Sequence, residues 1–221
     1  MIGMHLNHFE KHASVYDERA EHFERGYSYQ LTGYYQSWKY FSHIESDIRK
    51  QFTFRMDIQN KAHSYLRSVK RIYNAKHKRP MNSSVTFIGV HVRRGDIVNN
   101  IFYRYKGYVA AEAPYLLSAM NRMTTKFENA LFIVCSDDTD WCEQNLNVRD
   151  VFFSPTKNPS VDLAILSSCN HSIITTGSFG WWSAWLARGE TIYYKNWPRP
   201  NTELFDEVNH TDYFPATWIP M

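Results

Sequence analysis

The chain has 221 residues with a hydrophobic content of 43% and a charged content of 21%, a composition that is typical of folded domains and excludes a disordered protein. Its net charge of +3 is too small for a protein that binds nucleic acid through a strongly basic face. No apolar run reaches the roughly 18 to 20 residues that cross a bilayer, so no membrane span is expected.

The first 80 residues are predicted to be mostly helical. Between Ser42 and Ile72, apolar residues recur at helical spacing with charged residues between them. The pattern is interrupted near residues 52–57, which indicates two helices rather than one. Residues 29–41 carry a glycine and many aromatic side chains, and they are expected to form a strand or a closely packed loop.

After Pro80, apolar runs typical of buried strands alternate with segments of helical spacing. The predicted strands are 84–92, 129–136, 150–154, 171–177 and 191–194. The predicted helices are 113–127, 139–146, 160–170, with Ser160 as its N-cap, and 180–189, closed by Gly189. This alternation predicts an α/β domain with a parallel, Rossmann-type sheet covered by helices. Ligands of such sheets bind beyond the carboxyl ends of the strands, so the site is expected in the loops that follow them.

The first predicted strand runs directly into His-Val-Arg-Arg-Gly-Asp at residues 91–96. Guanidinium groups such as those of Arg93 and Arg94 match phosphate oxygens with paired hydrogen bonds. Gly95 permits a tight turn, and Asp96 is suited to orient an arginine or to accept from a sugar hydroxyl. The alternative is a surface cluster of salt bridges.

Two further clusters follow later strands. Ser136, Asp137 and Asp138 come after the second strand, where carboxylates commonly hold a ribose or a base edge. The alternative is a helix cap, formed by Asp138 or Thr139. In the second cluster, Gly177 and Gly180 flank Ser178 and Phe179 just before a helix, an arrangement that favours anion binding at the helix N-terminus. Two of the tryptophans at 181, 182 and 185 are expected in the core, and the third at a ligand.

Other kinds of site are less well supported by the sequence. The ten histidines form no HExxH pair and the three cysteines lack zinc spacing, so no metal site is predicted. Three cysteines also define no complete disulfide framework. Asn-x-Ser/Thr triplets make Asn82, Asn170 and Asn209 candidates for N-glycosylation.

Four segments, in order, closely resemble the motifs of the α-1,2-fucosyltransferases, glycosyltransferase family 11. They are GVHVRRGD, FIVCSDDTDWC, LAILSSCNHSIITTGSFGWWSAWLARG and TIYY. LTGYYQSWKYF looks like the segment upstream of the first motif, so the resemblance covers about residues 30–218. The arginine pair is also similar to that of the α-1,6- and protein O-fucosyltransferases, which share GDP-fucose as the donor.

The resemblance implies a GT-B-like, inverting glycosyltransferase that works in the Golgi lumen without a metal or other cofactor. Its substrates would be GDP-fucose and a glycan with a terminal galactose, whose 2-hydroxyl would receive the fucose. The alternatives are a catalytically inactive GDP-sugar-binding fragment or paralogue and, third, a protein O-fucosyltransferase.

The resemblance also implies roles for individual residues. The implied donor-binding residues are His91, Arg93, Arg94, Ser136, Asp137, Asp138, Asp162, Gly177, Ser178 and Phe179. His91 and Asp137 or Asp138 would face guanine or ribose, and the two arginines would neutralise the diphosphate as GDP departs. Arg94 and Asp96 are the catalytic candidates, Asp96 as the base because it is the carboxylate nearest the diphosphate.

Two domains are expected on this basis: residues 1–80 as a remnant of an acceptor-side domain, and residues 81–221 as a GDP-fucose-binding domain. The family carries an N-terminal anchor and a Gly-Arg-Leu-Gly-Asn-Gln type segment, and neither is found in this sequence. Membrane association is therefore expected only through an anchor that lies outside it.

Overall fold

The computed structural model describes residues 5–221. The strands, in chain order, are β1 (His5–Phe9), β2 (Ser28–Thr32), β3 (Thr86–Val92), β4 (Ala130–Ser136), β5 (Val151–Phe153), β6 (His171–Ile174), β7 (Thr191–Tyr193) and β8 (Ile219–Pro220). The helices are α1 (Glu45–Gln51), α2 (Met56–Lys76), α3 (Gly95–Asn99), α4 (Ile101–Lys106), α5 (Ala113–Lys126), α6 (Thr139–Asn145), α7 (Pro159–Ser167), α8 (Ser178–Ala187), α9 (Glu203–Asp206) and α10 (His210–Tyr213).

The chain forms two compact units, and the smaller one consists of the residues up to 52 together with 198–216. In it, β1 pairs with β2 in parallel. The buried carboxylate of Asp212 accepts hydrogen bonds from Lys39 Nζ at 2.6 Å and from the backbone N–H of Tyr16 at 3.0 Å. These bonds join the late segment 198–216 to the early one.

The larger unit, residues 53–197 with 217–221, contains a parallel sheet with the strand order β5-β4-β3-β6-β7-β8. The register aligns His91 with Cys135 of β4 and with Ile174 of β6. The loops that follow β3, β4 and β6 therefore emerge side by side at one edge. The parallel, helix-covered sheet predicted from the sequence is confirmed.

Helices cover both faces of this sheet, as the continuous apolar strands require. On one face, Ile88, Val90 and Val92 of β3 pack in a buried cluster with α5. On the other face, residues of β4 pack with α2 and α7. Side chains alternate along β3, so even-numbered residues point toward α5 and odd-numbered residues point toward α7 and α8.

The compact units divide the chain at residues 52 and 197 rather than at residue 80. The reason is α2, whose buried stripe of Ala62, Leu66 and Val69 packs with the sheet unit. An amphipathic helix belongs to the surface that buries its apolar face. The assignment of the parts to acceptor and donor stays a prediction.

Several local details differ from the expectations. The interruption between α1 and α2 is confirmed, but the short helices α3 and α4 were not predicted. The N-cap of α7 is Asn158 rather than Ser160, because Pro159 takes the first helical position and Asn158 Oδ1 accepts from the N–H of Ser160 at 3.0 Å. Helix α8 ends at Ala187, and its C-cap is Arg188, with a φ of 65°, rather than the predicted Gly189.

Candidate functional site

A cleft of about 500 Å³ opens at the carboxyl ends of β3, β4 and β5. Its lining residues are His91, Arg93, Asp96, Cys135, Ser136, Asp137, Thr139, Thr156, Lys157, Pro159, Asp162 and Phe179. The position agrees with the rule that parallel sheets bind ligands beyond their strand ends. Residues from each of the three sequence clusters lie in it.

Arg93 supplies a cation that is held in a fixed orientation within the cleft. Its Nη2 and Nε donate to the two carboxylate oxygens of Asp96 at 2.5 and 3.1 Å, and its backbone N–H donates to Thr175 Oγ1 at 2.9 Å. The guanidinium also lies 5.9 Å from the centre of the Tyr108 ring. A paired, partly exposed guanidinium of this kind is prepared for an anionic ligand.

Asp96 is bound to Arg93 in a way that disfavours its expected role as a base. The hydrogen bond from the Arg93 guanidinium holds the pKa of the Asp96 carboxyl below its usual value. A carboxylate with a lowered pKa accepts a proton poorly at neutral pH. Its position instead suits it to orient Arg93.

Arg94 lies outside the cleft, contrary to the expectation that both arginines face a diphosphate. Its guanidinium stacks 3.6 Å from the centre of the Trp141 ring, and Nη1 donates to the carbonyl of Ala111 at 3.2 Å. Nε lies 3.4 Å from Asp138 Oδ2. The physical reason is the alternation along the strand end, which sends Arg94 to the α5 side and Arg93 to the α8 side.

The acidic pair after β4 divides between structural and cleft positions. Asp138 caps α6, since its Oδ1 accepts from the N–H of Trp141 at 3.3 Å, and it does not line the cleft. Asp137 does line it, and its Oδ1 accepts from the backbone N–H of Arg94 at 2.8 Å. Ser136 also lines the cleft. Its Oγ stabilises the turn after β4 by accepting from the N–H of Asp138 at 2.9 Å.

His91 forms part of the cleft wall and is only 8% exposed. Its ring lies 5.2 Å from that of Phe179, and its buried Nδ1 has no hydrogen-bond partner among the described residues. Burial lowers the pKa of His91 to about 4, so the ring is neutral at physiological pH. An unpaired buried polar atom costs free energy, and this nitrogen faces Gly180 of α8.

Asp162 lies at the β5 end of the cleft, in the first turn of α7 as predicted. Ser154 Oγ donates to its Oδ1 at 2.6 Å, and burial raises the pKa of its carboxyl. The neighbouring Cys135 thiol is also buried, and burial raises its pKa well above the usual value. The half-buried carboxylate is thus a directed hydrogen-bond acceptor.

Gly177, the N-cap of α8, and Gly180, in its first turn, leave room for the cleft residues rather than lining the cleft. Gly177 has a φ of +94°, and an added Cβ would lie 2.6 Å from Arg93 Nη1. An added Cβ on Gly180 would lie 2.5 Å from His91 Nδ1. Ser178 begins α8 and is exposed outside the cleft, whereas Phe179 lines it.

The tryptophans of α8 follow the expectation for the core. Trp181 and Trp185 are buried, and their rings stack 6.4 Å apart. Trp182 is half-buried and does not line the cleft, so the expectation of a ligand-facing tryptophan is not met.

Five cleft residues were not predicted from the sequence to bind a ligand. They are Cys135, Thr139, Thr156, Lys157 and Pro159. For Thr156, Lys157 and Pro159, the sequence did offer a signal, because they lie in the loop after the third predicted strand, where ligands of a parallel sheet bind. Which of its side chains turn inward depends on loop conformation.

Among residues 5–221, no group of three or more His, Cys, Asp and Glu side chains is arranged to hold a metal ion. No helix in this described range is long and apolar enough to cross a membrane. The three cysteines are buried free thiols. Asn82, Asn170 and Asn209 are exposed, and their glycosylation stays a prediction.

A sequence model described as "Glycosyl transferase family 11" matches residues 3–221. Galactoside alpha-(1,2)-fucosyltransferase 1 of Alouatta belzebul is 35% identical over 195 residues, which cover 86% of this chain and 51% of that protein. Galactoside 2-alpha-L-fucosyltransferase Sec1 of Mus musculus is 35% identical over 212 residues, which cover 92% and 53%. The chain spans about half the length of these curated relatives.

Two solved structures share the fold at low sequence identity. The NodZ α-1,6-fucosyltransferase, from crystals soaked with GDP-fucose, has a TM-score of 0.52 at 16% identity, over 80% of this chain and 56% of that one. POFUT1 in complex with GDP has a TM-score of 0.50 at 12% identity, over 76% and 55%. These likenesses concern the fold alone, and they confirm the GT-B-like α/β class.

Proposed function

This chain belongs to glycosyl transferase family 11, and from that premise we propose that it transfers L-fucose from GDP-fucose to the 2-hydroxyl of a terminal galactoside. The observation that carries the proposal is Arg93, a fixed guanidinium in a cleft of about 500 Å³ at the strand ends of the family's sheet. This is the chemistry that a nucleoside diphosphate requires.

The strand order suggests how the donor lies. Neighbouring strands are about 4.8 Å apart, and the cleft runs from residues that follow β5 to residues that follow β3. We place the nucleoside between the β5 end, where Asp162 offers a carboxylate acceptor, and Asp137, which follows β4 and offers a second acceptor closer to β3. The diphosphate then reaches Arg93, and the fucose lies beyond it.

Two cations lie along this path, and their surroundings distinguish them. Lys157 is exposed in the loop after β5 and makes no ion pair with a described residue. Arg93 is held by Asp96 and Thr175. A preorganised cation loses less entropy on binding a phosphate, so Arg93 is assigned to the diphosphate.

In the reaction, the acceptor 2-hydroxyl oxygen forms a bond to the anomeric carbon as the bond from that carbon to the β-phosphate oxygen breaks. Negative charge develops on the departing GDP, and the Arg93 guanidinium stabilises it through the N–H groups that do not donate to Asp96. Attack from the face opposite GDP inverts the anomeric configuration. Asp96 positions Arg93, and the residue that takes the acceptor proton is not assigned.

The proposal includes independence of metal ions, since Arg93 supplies the positive charge at the leaving group. We expect turnover to be unchanged by EDTA and by added Mg²⁺ or Mn²⁺. Loss of turnover in EDTA that is restored by a metal ion would overturn this part. The Golgi lumen is proposed as the site of action on family grounds, and the exposed Asn82 triplet is compatible with a secretory route.

The test is transfer from radiolabelled GDP-fucose to a lactose-type acceptor, with an α-1,2-specific fucosidase to identify the linkage. Product is expected with the 221-residue chain and with Arg122→Ala, a control at an exposed arginine of α5. Arg93→Ala is expected to lose at least about 100-fold in kcat/KM.

The outcomes separate the alternatives. GDP binding without product would favour a GDP-sugar-binding protein that lacks transferase activity, because the same cleft residues serve binding. Product only on a protein acceptor in the same assay would favour O-fucosylation. Absence of both GDP binding and product would overturn the proposal.

A further inference from the structure

We propose that Tyr108 is a positioning residue for fucosyl transfer, whose ring holds the Arg93 guanidinium in the orientation that the departing diphosphate requires. The inference rests on the proposed function and adds a residue that does not line the cleft and belongs to none of the three sequence clusters. Tyr108 lies in the stretch that follows α4, residues 107–111, named here the Tyr108 segment.

The Tyr108 segment begins at a helix end that fixes the direction of the chain. Gly107 follows α4 with a φ of +113°, in the left-handed region that glycine adopts readily. The N–H of Tyr108 donates to the carbonyl of Tyr103 at 3.0 Å. The two tyrosine rings pack edge-on, with centroids 5.1 Å apart and planes at 89°. The backbone and the ring of Tyr108 are therefore both held by the last turn of α4.

The Tyr108 segment is held at its other end by Arg94. Arg94 Nη1 donates to the carbonyl of Ala111 at 3.2 Å, and Ala111 is fully buried. Arg94 is in turn buried against Trp141, 3.6 Å from the centre of that ring. The segment therefore connects the two arginines, since Arg94 holds its end and Tyr108 lies beside Arg93. A segment that is fixed at both ends can restrict the Arg93 side chain.

The ion pair with Asp96 does not hold Arg93 by itself. The side chain of Arg93 is 29% exposed and that of Asp96 is 37% exposed. Ion pairs that reach solvent contribute little, because water screens them and both side chains lose rotamer freedom. An exposed carboxylate can also move together with the cation that it binds. A contact from outside the pair is therefore needed to fix the guanidinium relative to the cleft.

Tyr108 supplies this contact. The Arg93 guanidinium lies over its ring, 5.9 Å from the centre, within the roughly 6 Å over which an aromatic face attracts a cation. Gly177 also adjoins Nη1, but it has no side chain that could hold the group. Asp96 accepts from two of the five guanidinium N–H groups. With ring and carboxylate both in place, the remaining N–H groups keep a fixed direction, and these are the groups assigned to the diphosphate.

The expected effect of Tyr108 is on the transition state more than on donor binding. Without the ring, Arg93 keeps its charge and its ion pair with Asp96, so it still attracts the diphosphate of the bound donor. Charge on the leaving group increases in the transition state, where stabilisation depends on donors that are already aligned. Loss of a positioning contact should therefore lower kcat more than it changes the KM for GDP-fucose.

The experiment compares Tyr108→Ala and Tyr108→Leu with Tyr108→Phe and with the control Tyr105→Ala, which removes an 80% exposed tyrosine from α4. In radiolabelled transfer to lactose, kcat is expected to fall roughly tenfold in the Ala and Leu variants, while the KM for GDP-fucose stays within about threefold. Tyr108→Phe keeps the ring and should retain at least about half of kcat. The control should match the unsubstituted chain.

A second readout separates positioning from a general loss of structure. In an Arg93→Ala background no guanidinium is left to position, so Tyr108→Ala should lower kcat by no more than about a further twofold. A tyrosine that only supported the fold would cost the same factor in both backgrounds. Thermal unfolding and titration calorimetry with GDP report whether each variant is folded.

Unchanged kcat in Tyr108→Ala and Tyr108→Leu, with transfer intact in the unsubstituted chain, would overturn the positioning role and leave the proposed function standing. An equal loss in the Arg93→Ala background would overturn it as well. A loss in Tyr108→Phe as large as in Tyr108→Ala would assign the effect to the hydroxyl group and contradict a role for the ring. Absence of transfer by the unsubstituted chain would instead contradict the proposed function, and the role of Tyr108 would fall with it.

Discussion

At the end of β3, Arg93 points to the cleft and Arg94 points to the opposite side of the strand. Arg93 reaches Asp96 and the open cleft, whereas Arg94 is buried on Trp141 beside Asp138. The two arginines are adjacent in sequence and carry the same charge. They differ in the side of the strand to which they project, and this decides that Arg93 can contact a ligand while Arg94 packs against the protein.

The first prediction concerns this division. Arg93→Ala should weaken GDP binding about 10- to 100-fold, since hydrogen bonds to charged groups contribute roughly 1.5–3 kcal/mol. Arg94→Ala should lower the free energy of unfolding by about 1–3 kcal/mol, because it removes a buried guanidinium that stacks on Trp141 and lies beside Asp138. Titration calorimetry with GDP and thermal unfolding measure the two effects. Equal losses of GDP affinity with unchanged stability would contradict the assignment.

The second prediction concerns His91 and pH. Burial lowers its pKa from 6.5 to about 4, so the unfolded state binds the proton more readily than the folded state. The contribution of His91 to the free energy of unfolding is therefore greatest above pH 6.5, and it is lost as the pH falls toward 4. At about 1.4 kcal/mol for each pKa unit, the loss approaches roughly 3 kcal/mol.

Urea unfolding between pH 7.5 and pH 4 provides the measurement. His91→Gln keeps a neutral polar side chain and should flatten this part of the pH dependence, while other titrating groups remain in both proteins. If the two proteins lose stability in parallel, His91 is not the group responsible.

At the scale of elements, α8 and β3 approach closely because two glycines face the cleft residues. Gly180 lies against His91 and Gly177 lies against Arg93. The Gly-rich segment was interpreted from sequence as an anion site at a helix N-terminus. In the structure its glycines provide the space that the cleft side chains occupy.

The third prediction tests this packing. Gly180→Ala should destabilise the protein by about 1–3 kcal/mol and weaken GDP binding, because the new Cβ would lie 2.5 Å from His91 Nδ1. In a His91→Ala background the same substitution should cost much less, since the opposing ring is gone. A double-mutant cycle by urea unfolding measures the coupling. Additive effects would show that the two residues do not compete for space.

At the scale of the whole molecule, the parallel sheet brings distant sequence clusters together. The strands β4, β3 and β6 are neighbours, so loops from residues 93, 136 and 175 onward share one edge. A ligand that contacts several of these loops binds the folded chain and not the unfolded one.

The fourth prediction follows from this linkage. GDP at 100 times its Kd should add about 2.7 kcal/mol to the free energy of unfolding, a rise of about 5–10 °C in Tm for a chain of this size. GMP should stabilise less because it lacks the second phosphate, and ADP less because adenine lacks the adjacent N1–H and N2–H2 donors with which guanine can pair with a carboxylate such as that proposed for Asp162. Thermal unfolding with matched nucleotides checks the order. Equal shifts with all three would contradict a site specific for guanosine diphosphate.

Most of the sheet unit could be predicted because its signals are local. Apolar runs placed β3 and β4 within two residues of their observed ends, and the alternation with helices implied the parallel order. The helices α3 and α4 were missed because residues 95–106 are too short and irregular for a periodic pattern. The predicted boundary at residue 80 differs from the observed one at residue 52 because α2 buries its apolar stripe against the sheet unit and so belongs to that unit.

The sequence by itself determined the strand and helix alternation, the three clusters at strand ends and, through its motifs, the family. Only the tertiary structure decided which cluster members face the cleft: Arg93 but not Arg94, and Asp137 but not Asp138. It also joined residues 198–216 to the early segment. The physical reason is that local patterns specify backbone conformation, whereas the direction of a side chain at a strand end depends on contacts with residues far away in the chain.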